Sequence, residues 1–371
     1  MKKAFIILPS HNEAGTIERL IIEIFNQQRQ TKIWDINVLV NDSQSNDGTV
    51  DIIKKLQKKY PKKLFLIKTK KQGLGKAYSQ AFRYVITNFN PYIIFQMDAD
   101  YSHNPNLIPE FLKKIEAGAD FVIGARYIKD GSIPKNWGIH RKLLSILGNL
   151  IVRFGFMNLK IHDWTSGFRA IKSWLIKDSL NFIEKYSGYV FQIALLDRAI
   201  KNNANLQEVP LKFIDRTYGK SKIIFFQYIF QIFLYLLSYS SFIKFIIVGT
   251  IGAIIDFGLS YLLGINNPKK SVKLITFIST ESAIISNYIL NNFWSFNEKK
   301  LSPFKKKFYI NFIKFNLISS GSIIIQTLGM YLLTNIFGRK LWFVYKFIII
   351  ALIIIPYSYI LYTKIIWKRN N

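Results

Sequence analysis

Residues 92–103 read YIIFQMDADYSH, an apolar run that ends in two aspartates one residue apart. A run of this length, rich in branched and aromatic residues, predicts a buried β-strand, and the polar residues after it mark where the chain leaves the sheet. Four more runs have the same form: AFIILP (4–9), INVLVND (36–42), LFLIKT (64–69) and DFVIGAR (120–126). Between them, over 14–29, 47–60, 74–89 and 105–117, apolar residues recur with helical spacing. Strand and helix therefore alternate over residues 1–220, which predicts βαβ units and a mostly parallel sheet covered by helices. Ligands of such sheets bind beyond the carboxyl ends of the strands. HNE, NDSQS, DADYSH and GARY all fall there.

Composition sets the outer bounds. The chain has 371 residues, half of them hydrophobic, yet Lys and Arg outnumber Asp and Glu by 51 to 22. Such a mixture suits a lipid surface or a strongly anionic ligand. Nucleic acid is not expected as a partner, because no zinc-finger spacing, recognition module or isolated basic helix stands out. There is no cysteine, which excludes disulfides, thiolate metal sites and a cysteine nucleophile. The opening MKKAFIILPSHNE is too soon interrupted by HNE to read as a signal peptide, so it is taken as the first strand.

From about residue 223 the pattern changes. FFQYIFQIFLYLL (225–237) follows the basic RTYGKSK and reads as a helix lying in the membrane interface. Four longer apolar stretches come next, at 242–264, 272–296, 311–336 and 342–367, each long enough to span a bilayer. The expected division is a catalytic domain over 1–222, an interfacial linker over 223–241 and a four-helix membrane domain over 242–371. Four spans and a cytoplasmic N-terminal domain would place KKLSPFKKK (299–307) and KIIWKRN (364–370) inside, as the positive-inside rule prefers, although Lys269, Lys270, Arg339 and Lys340 weaken the bias. Asp256 and Glu281 fall inside these spans, where ionisable groups are costly and need partners. Helix packing is the expected role, and lipid head-group handling is the sharper alternative.

The chemistry gathers at the strand ends. In an extended chain Asp98, Asp100 and Ser102 share one side. Hard oxygen ligands so placed suit Mg²⁺ or Mn²⁺ shared with a diphosphate, while the plain alternative is a strand cap or turn. At the first strand end, PSHNEAGTIERL offers His11 and Glu13 to a nucleotide, or a helix cap at Asn12 or Glu13. At the second, Asp42 could accept from a base N–H, beside a turn and a cap at Asp47. The glycines of KQGLGKA (71–77) would let backbone N–H groups approach a ligand. A phosphate monoester acceptor needs cations rather than a base. Arg126 lies just past a strand, Arg141 and Ser145 are one helical turn apart, and Arg169, Arg216 and Lys222 lie near apolar segments. Asp163 would pair with a nearby Arg or orient a sugar, and His103 and His162 are expected to make local hydrogen bonds.

Taken in order, LPSHNEAGTIERL, VNDSQSNDGT, GLGKA, QMDADYSHNP, GARY, DWTSGFRAI, GYVFQ and VPLKF followed by RTYGKSK resemble the glycosyltransferase family 2 enzymes of GT-A fold, in the dolichol-phosphate (polyprenyl-phosphate) mannose synthase group. The resemblance implies an α/β GT-A domain, Rossmann-like with a mostly parallel sheet, followed by an all-α domain of four transmembrane helices. It implies transfer of mannose from GDP-mannose to dolichyl or polyprenyl phosphate with inversion at the anomeric carbon. By the same resemblance Pro9, His11, Glu13, Asp42 and Asp98 contact the nucleotide, and Asp98, Asp100 and Ser102 surround Mg²⁺ or Mn²⁺. Arg126, Arg141 and Ser145 hold the acceptor phosphate, with Arg216 and Lys222 nearby; Asp100, Arg126, Arg141 and Ser145 form the catalytic set. Two positions depart from the commonest pattern: His11 stands for a frequent Tyr, and Asn41 for the first of two aspartates. These bear on base preference.

Residues 242–367 are similar to the GtrA-like four-helix membrane family, through FIKFIIVGTIGAIIDFGLSYLL, SNYILNNFWSF, FIKFNLISSGSIIIQTLGMYLL and YILYTKIIWK. Anchorage of the active site against the lipid is the expected contribution. Two rival enzymes remain in view: a UDP-glucose-dependent transferase on the same acceptor, and a processive polysaccharide synthase. The second would carry QxxRW, which QIALLDRA (192–199) lacks. A lipid-linked sugar transporter with an inactive transferase half is the reading from another class, and Asp98, Asp100, Arg126 and Arg141 speak against it.

Overall fold

The structure is a computed structural model and describes residues 1–215, 225–266 and 271–368. Contacts divide the chain into two units, Met1–Tyr235 and Leu236–Asn371. In the first, the strands are β1 (Lys2–Ser10), β2 (Trp34–Asp42), β3 (Leu64–Lys68), β4 (Ile93–Gln96), β5 (Phe121–Ala125), β6 (Arg169–Lys172) and β7 (Leu206–Pro210). Interleaved with them are α1 (Ile17–Asn26), α2 (Thr49–Lys59), α3 (Leu74–Phe89), α4 (Ile108–Glu116), α5 (Ile139–Gly155), α6 (Ser173–Ile183) and α7 (Val190–Lys201). All five expected strands and all four expected helices form, most of them with ends shifted by a few residues. β6, β7 and α5 to α7 add to them.

The strands make one seven-stranded sheet in the order β3-β2-β1-β4-β6-β5-β7. Every neighbouring pair is parallel except the two made by β6, which runs against β4 and β5. The inner parallel strands β1, β2, β4 and β5 are buried almost throughout, as expected for a sheet with helices on both faces, while the edge strands β3 and β7 are mostly half-buried. Ile17, Leu20 and Ile24 of α1, Ile53 and Leu56 of α2, and Phe111, Leu112 and Ile115 of α4 close one face over Ile6, Leu8, Val38, Val40 and Phe95. On the other face α3 lies against β1 and β2, and α6 against β6 and α7.

Because β6 is reversed, its first residue rather than its last sits at the carboxyl edge: Arg169 pairs with Gln96 at the end of β4. The segment that leads into it, residues 162–168, is thereby delivered to the edge where β1, β2, β4 and β5 end. Periodicity alone does not reveal this, since β6 has only four residues.

A helix α8 (Phe225–Tyr239) follows, two residues longer than expected. Within the first unit its Tyr235 hydroxyl donates to buried Asp197 at 2.8 Å. α5 is unusual for a helix of this unit: Ile139, Leu143, Leu147, Ile151 and Phe154, at roughly one-turn intervals, are all exposed.

The second unit holds α9 (Ser241–Asn266), α10 (Val272–Leu290), α11 (Lys306–Phe337) and α12 (Trp342–Ile366), the last with π-helical turns at Ile350–Ile354 and Tyr362–Ile366. Among the described residues three helical stretches are long and apolar enough to cross a membrane, Ser241–Ile265, Lys306–Phe337 and Trp342–Ile366. The fourth expected span is a helix as well, but Lys273, Thr276, Glu281 and Asn287 dilute its apolar character. Several polar groups within this unit find partners in one another, although Asn287 Oδ1, Asn291 Oδ1 and Ser295 Oγ are buried without a hydrogen-bond partner among the described residues. Thr280 Oγ1 donates to Asp256 Oδ1 at 3.2 Å, Ser260 meets Ser279 at 2.7 Å, and Asn292 Oδ1 accepts from Leu301 N–H and Trp367 Nε1 at 2.8 and 3.0 Å. The motifs around SNYILNNFWSF and IIWK thus meet each other.

Asp197 is buried, so Tyr235→Phe should lower stability by about 1–2 kcal/mol through loss of its hydroxyl donor. A lower thermal midpoint with unchanged helix content, measured by circular dichroism, checks this.

Candidate active site

β1 and β2 lie side by side with Pro9 opposite Asn41 and Ser10 opposite Asp42. The loops beyond them are stitched together. Asn12, at φ +61°, donates its N–H to Ser45 Oγ at 2.8 Å and accepts from Asn46 N–H at 3.0 Å; Glu13 N–H donates to Thr49 Oγ1 at 2.9 Å and Ala14 N–H to Asp47 Oδ2 at 3.0 Å. Asp47 also accepts from Thr49 N–H at 3.1 Å, but the N-cap position expected of it is taken by Gly48, so Asp47 holds the first turn of α2 from one residue before the cap. Asp42 is buried and accepts from Ser10 Oγ at 3.0 Å, Ser45 N–H at 3.0 Å and the Ser45 hydroxyl. Its carboxylate is thus held by its own strand ends. His11 Nδ1–H donates to the Ser43 carbonyl at 2.8 Å, which leaves Nε2 as the acceptor for Lys71 Nζ at 3.0 Å. The departure at Asn41 has a plain cause: it is fully buried, its amide donates to Ala77 O at 2.7 Å and its oxygen accepts from Thr69 Oγ1 at 2.8 Å. An ionised aspartate could not make the first bond.

The glycine loop works differently from its expected role. A Cβ on Gly73 would lie 2.4 Å from Ser187 O, and one on Gly75 would lie 2.0 Å from Tyr186 O. Gly75 N–H donates to Ser187 O at 2.8 Å. Both glycines admit another stretch of this chain, the backbone just before α7, where the sequence had suggested a ligand.

The expectation that Asp98 to Ser102 form an extended chain also needs correction. β4 ends at Gln96, and the chain turns through Ala99 and Tyr101, the latter at φ +66°. Tyr101 is held there by its hydroxyl bond to Glu23 and by Arg19 lying over its ring. Asp98 remains partly open to solvent, and Asp100 and Ser102 are buried. Ser102 N–H donates to Asp100 Oδ1 at 3.1 Å, so the turn reading is right and the residues still gather. His103 is buried, stacks on Phe168 and accepts the Asp98 N–H on Nδ1 at 3.0 Å. Burial holds its pKa below the ordinary histidine range, against the nearby Asp98 charge. Gly167 leaves room beside this carboxylate: a Cβ there would come within 3.6 Å of Asp98 Oδ1. No cluster of three acidic or histidine side chains fit for a metal occurs among the described residues. Asp98, Asp100 and the Ser102 hydroxyl, which is buried and has no hydrogen-bond partner among the described residues, form a donor set of hard oxygens. Such a set could hold Mg²⁺ or Mn²⁺ with the remaining ligands from a diphosphate.

The cationic side lies at the end of β5. Arg126 makes a bidentate pair with Asp163, Nε to Oδ2 at 2.7 Å and Nη2 to Oδ1 at 2.8 Å, and also reaches Thr165 Oγ1 at 2.8 Å. Burial works against both charges, and each more than offsets it for the other: Asp163 stays below the ordinary carboxylate range and Arg126 above the ordinary guanidinium one. Of the two readings for Asp163, the ion pair is the one the structure shows. Tyr127, the next residue, meets Ser145 Oγ at 2.6 Å. Arg141 lies in the first turn of α5, 4.0 Å from the Trp137 ring centroid and 3.1 Å from Asp215 Oδ1. Arg126, Ser145 and Arg141 are therefore linked through Tyr127 and α5, a bridge that motif spacing did not reveal. Arg169 is fully buried, among apolar neighbours as expected, and among the described residues its hydrogen bonds go to backbone carbonyls. His162 donates from Nδ1 to Glu208 at 2.7 Å, a local bond as expected. Arg216 and Lys222 lie outside the described residues.

An α/β domain thus carries a carboxylate turn and a group of cationic side chains on one sheet edge. Residues 5–181 match Glycosyl transferase family 2, and residues 244–367 match the transmembrane domain described as GtrA/DPMS. The chain is 33% identical over 224 residues to a polyprenol monophosphomannose synthase of Mycolicibacterium smegmatis, covering 60% of this chain and 81% of that protein. It is 28% identical over 365 residues to a dolichol-phosphate mannosyltransferase of Pyrococcus furiosus, covering 94% and 97%. A glucosyl-3-phosphoglycerate synthase structure from Mycobacterium tuberculosis superposes with a TM-score of 0.48 at 18% identity, over 64% of this chain and 79% of that one. The chain is a membrane-bound glycosyltransferase. It belongs to glycosyltransferase family 2.

Removing one partner of a buried pair leaves an uncompensated charge. Asp163→Asn should therefore cost about 3–5 kcal/mol, read as a lower denaturation midpoint. Because Asp163 is depressed in the folded state, its contribution is complete above the unfolded aspartate value of about 3.9 and fades as pH falls through the folded one. The acid limb of the unfolding curve should accordingly be shallower in the variant. Gly75→Ala should cost about 1–3 kcal/mol by overpacking against Tyr186 O, checked by the same unfolding curve.

Proposed function

We propose that the protein transfers mannose from GDP-mannose to dolichyl or another polyprenyl phosphate, with inversion, releasing GDP. The observation that carries this reading is the linkage of Arg126, Ser145 and Arg141 through Tyr127, on the sheet edge that also bears Asp98 and Asp100. The similarity to a dolichol-phosphate mannosyltransferase over nearly the whole chain supports the acceptor class.

In this mechanism Pro9, His11, Glu13 and Asp42 bind the nucleotide, with Asp98 reaching its diphosphate. Asp98, Asp100 and Ser102 hold Mg²⁺ or Mn²⁺, which when bound neutralises charge developing on the leaving diphosphate. The acceptor phosphate is anionic at neutral pH and requires no general base. Arg126, Arg141 and Ser145, joined by Arg216 and Lys222, orient it for in-line attack on the anomeric carbon. Arg126 enters this role already aimed by Asp163. His103 keeps Asp98 directed at the crevice.

The acceptor's polyprenyl chain stays in lipid, so the pocket has to meet the interface. The exposed apolar face of α5 suits burial at the lipid boundary, and α5 also carries Arg141 and Ser145. α8 is the second interfacial element. We read 1–222 as the catalytic domain, 223–241 as the linker and 242–371 as a membrane domain of four spans, α10 being the polar one. The Lys-rich segments 299–307 and 364–370 support a catalytic domain on the cytoplasmic side, as the positive-inside rule prefers.

Washed membranes supplied with dolichyl phosphate should form labelled lipid from GDP-mannose, and lose it with chelator. Asp100→Ala should reduce transfer to about a thousandth of wild type or less while membrane insertion persists. Arg141→Ala should raise the apparent KM for polyprenyl phosphate about tenfold with little change in that for the sugar nucleotide. Label from UDP-glucose alone would replace the donor, and no label from either would overturn the transfer reading.

A further inference from the structure

Among the described residues, Arg169 is the one fully buried cation at the sheet edge to which the transfer mechanism gives no task. It is the first residue of β6, fully buried, and faces Gln96 across the ladder. Its Nη1 donates to Gln192 O on α7 at 2.6 Å and its Nη2 to Trp164 O at 2.8 Å. Nε has no hydrogen-bond partner among the described residues, and burial pushes the guanidinium down to about 9. A charge buried on carbonyl ligands is costly, and an apolar side chain would fill the same space more cheaply.

What the bond to Trp164 holds is a loop fixed residue by residue. His162 and Asp163 donate their N–H groups to Glu208 Oε1 at 2.8 and 3.2 Å, and Trp164 N–H donates to Asn149 Oδ1 at 2.9 Å. Asp163 grips Arg126, and Gly167 borders Asp98. The loop therefore touches both the cationic side and the carboxylate turn, and its only tie to α7 through a side chain among the bonds described is Arg169. A planar fork suits this task, because its two donors meet carbonyls from two separate elements in fixed geometry.

We propose that Arg169 is a positioning residue for the transfer: it locks the Trp164 carbonyl to the α7 backbone and so sets Arg126, through Asp163, and the wall beside Asp98 together. This rests on the function proposed above. One buried fork then governs both the acceptor and the donor sides.

The test uses the full chain in detergent, with Arg169→Lys, Arg126→Lys and the double variant. 5-Fluorotryptophan labelling provides a readout independent of turnover, the Trp164 resonance being assigned with Trp164→Phe. Arg169→Lys should keep the charge but lose the fork, shifting the Trp164 resonance and lowering kcat/KM for polyprenyl phosphate about tenfold. Combined with Arg126→Lys, its loss should shrink to about threefold or less, because both act through one loop. An unmoved Trp164 resonance, or losses that multiply fully, would overturn the proposal. If Arg169→Lys does not fold, Arg169→Gln is measured in its place with the same expectations. If the wild type transfers no mannose, the function reading fails by itself, and the resonance alone decides whether Arg169 sets the loop.

Discussion

Two charges that neither side could keep buried alone are paired at the end of β5. Arg126 and Asp163 bond through two parallel contacts at 2.7 and 2.8 Å, and Asp163 is fully enclosed. The pair exists because β6 is reversed: only an antiparallel strand between β4 and β5 has its entrance at the carboxyl edge, which brings residues 162–168 beside Arg126. From that placement follow the space that Gly167 leaves beside the Asp98 carboxylate, the stacking of His103 on Phe168 and the anchoring of the loop by Glu208 and Asn149. A single strand direction thus organises chemistry drawn from four strands.

The parallel part of the sheet was legible because its strands are apolar runs bounded by polar turns, and β1 to β5 appear where those runs lie. β6 was not, since RAIK is too short to show a period; of α5 only the helical spacing of Arg141 and Ser145 was visible, and not that its apolar residues face outward. The site residues were legible as motifs but not as contacts. Sequence could place Asp98 and Asp100 at a strand end and offer a turn there as the plain alternative; it could not foresee what holds that turn, Glu23 and Arg19 of α1 on Tyr101. Likewise the spacing of Arg141 and Ser145 was visible, while the hydroxyl bridge to Tyr127 required the tertiary fold.

The membrane unit is held by a different balance. Large apolar side chains such as Phe257, Leu317 and Leu352 stay exposed, as suits a lipid surround, while Asn292, Asn311 and Ser279 are buried among the helices. Without a hydrophobic drive between helices in lipid, such polar contacts and close-packed small residues supply specificity. Gly252 illustrates the second kind, since a Cβ there would fall 2.3 Å from Asn287.

The packing of Gly73 and Gly75 against Ser187 and Tyr186 bears on where the catalytic unit can be divided. The stretch matched to the transferase family ends at residue 181, before either of those carbonyls and before Gln192, whose carbonyl receives Arg169. A fragment cut there would keep every aspartate of the carboxylate turn yet lose the backbone that seats its glycine loop and the anchor of its buried arginine. The sequence signature of the enzyme is therefore shorter than its folding unit, and the remaining residues to Tyr235 belong to the machine as fully as the motifs do.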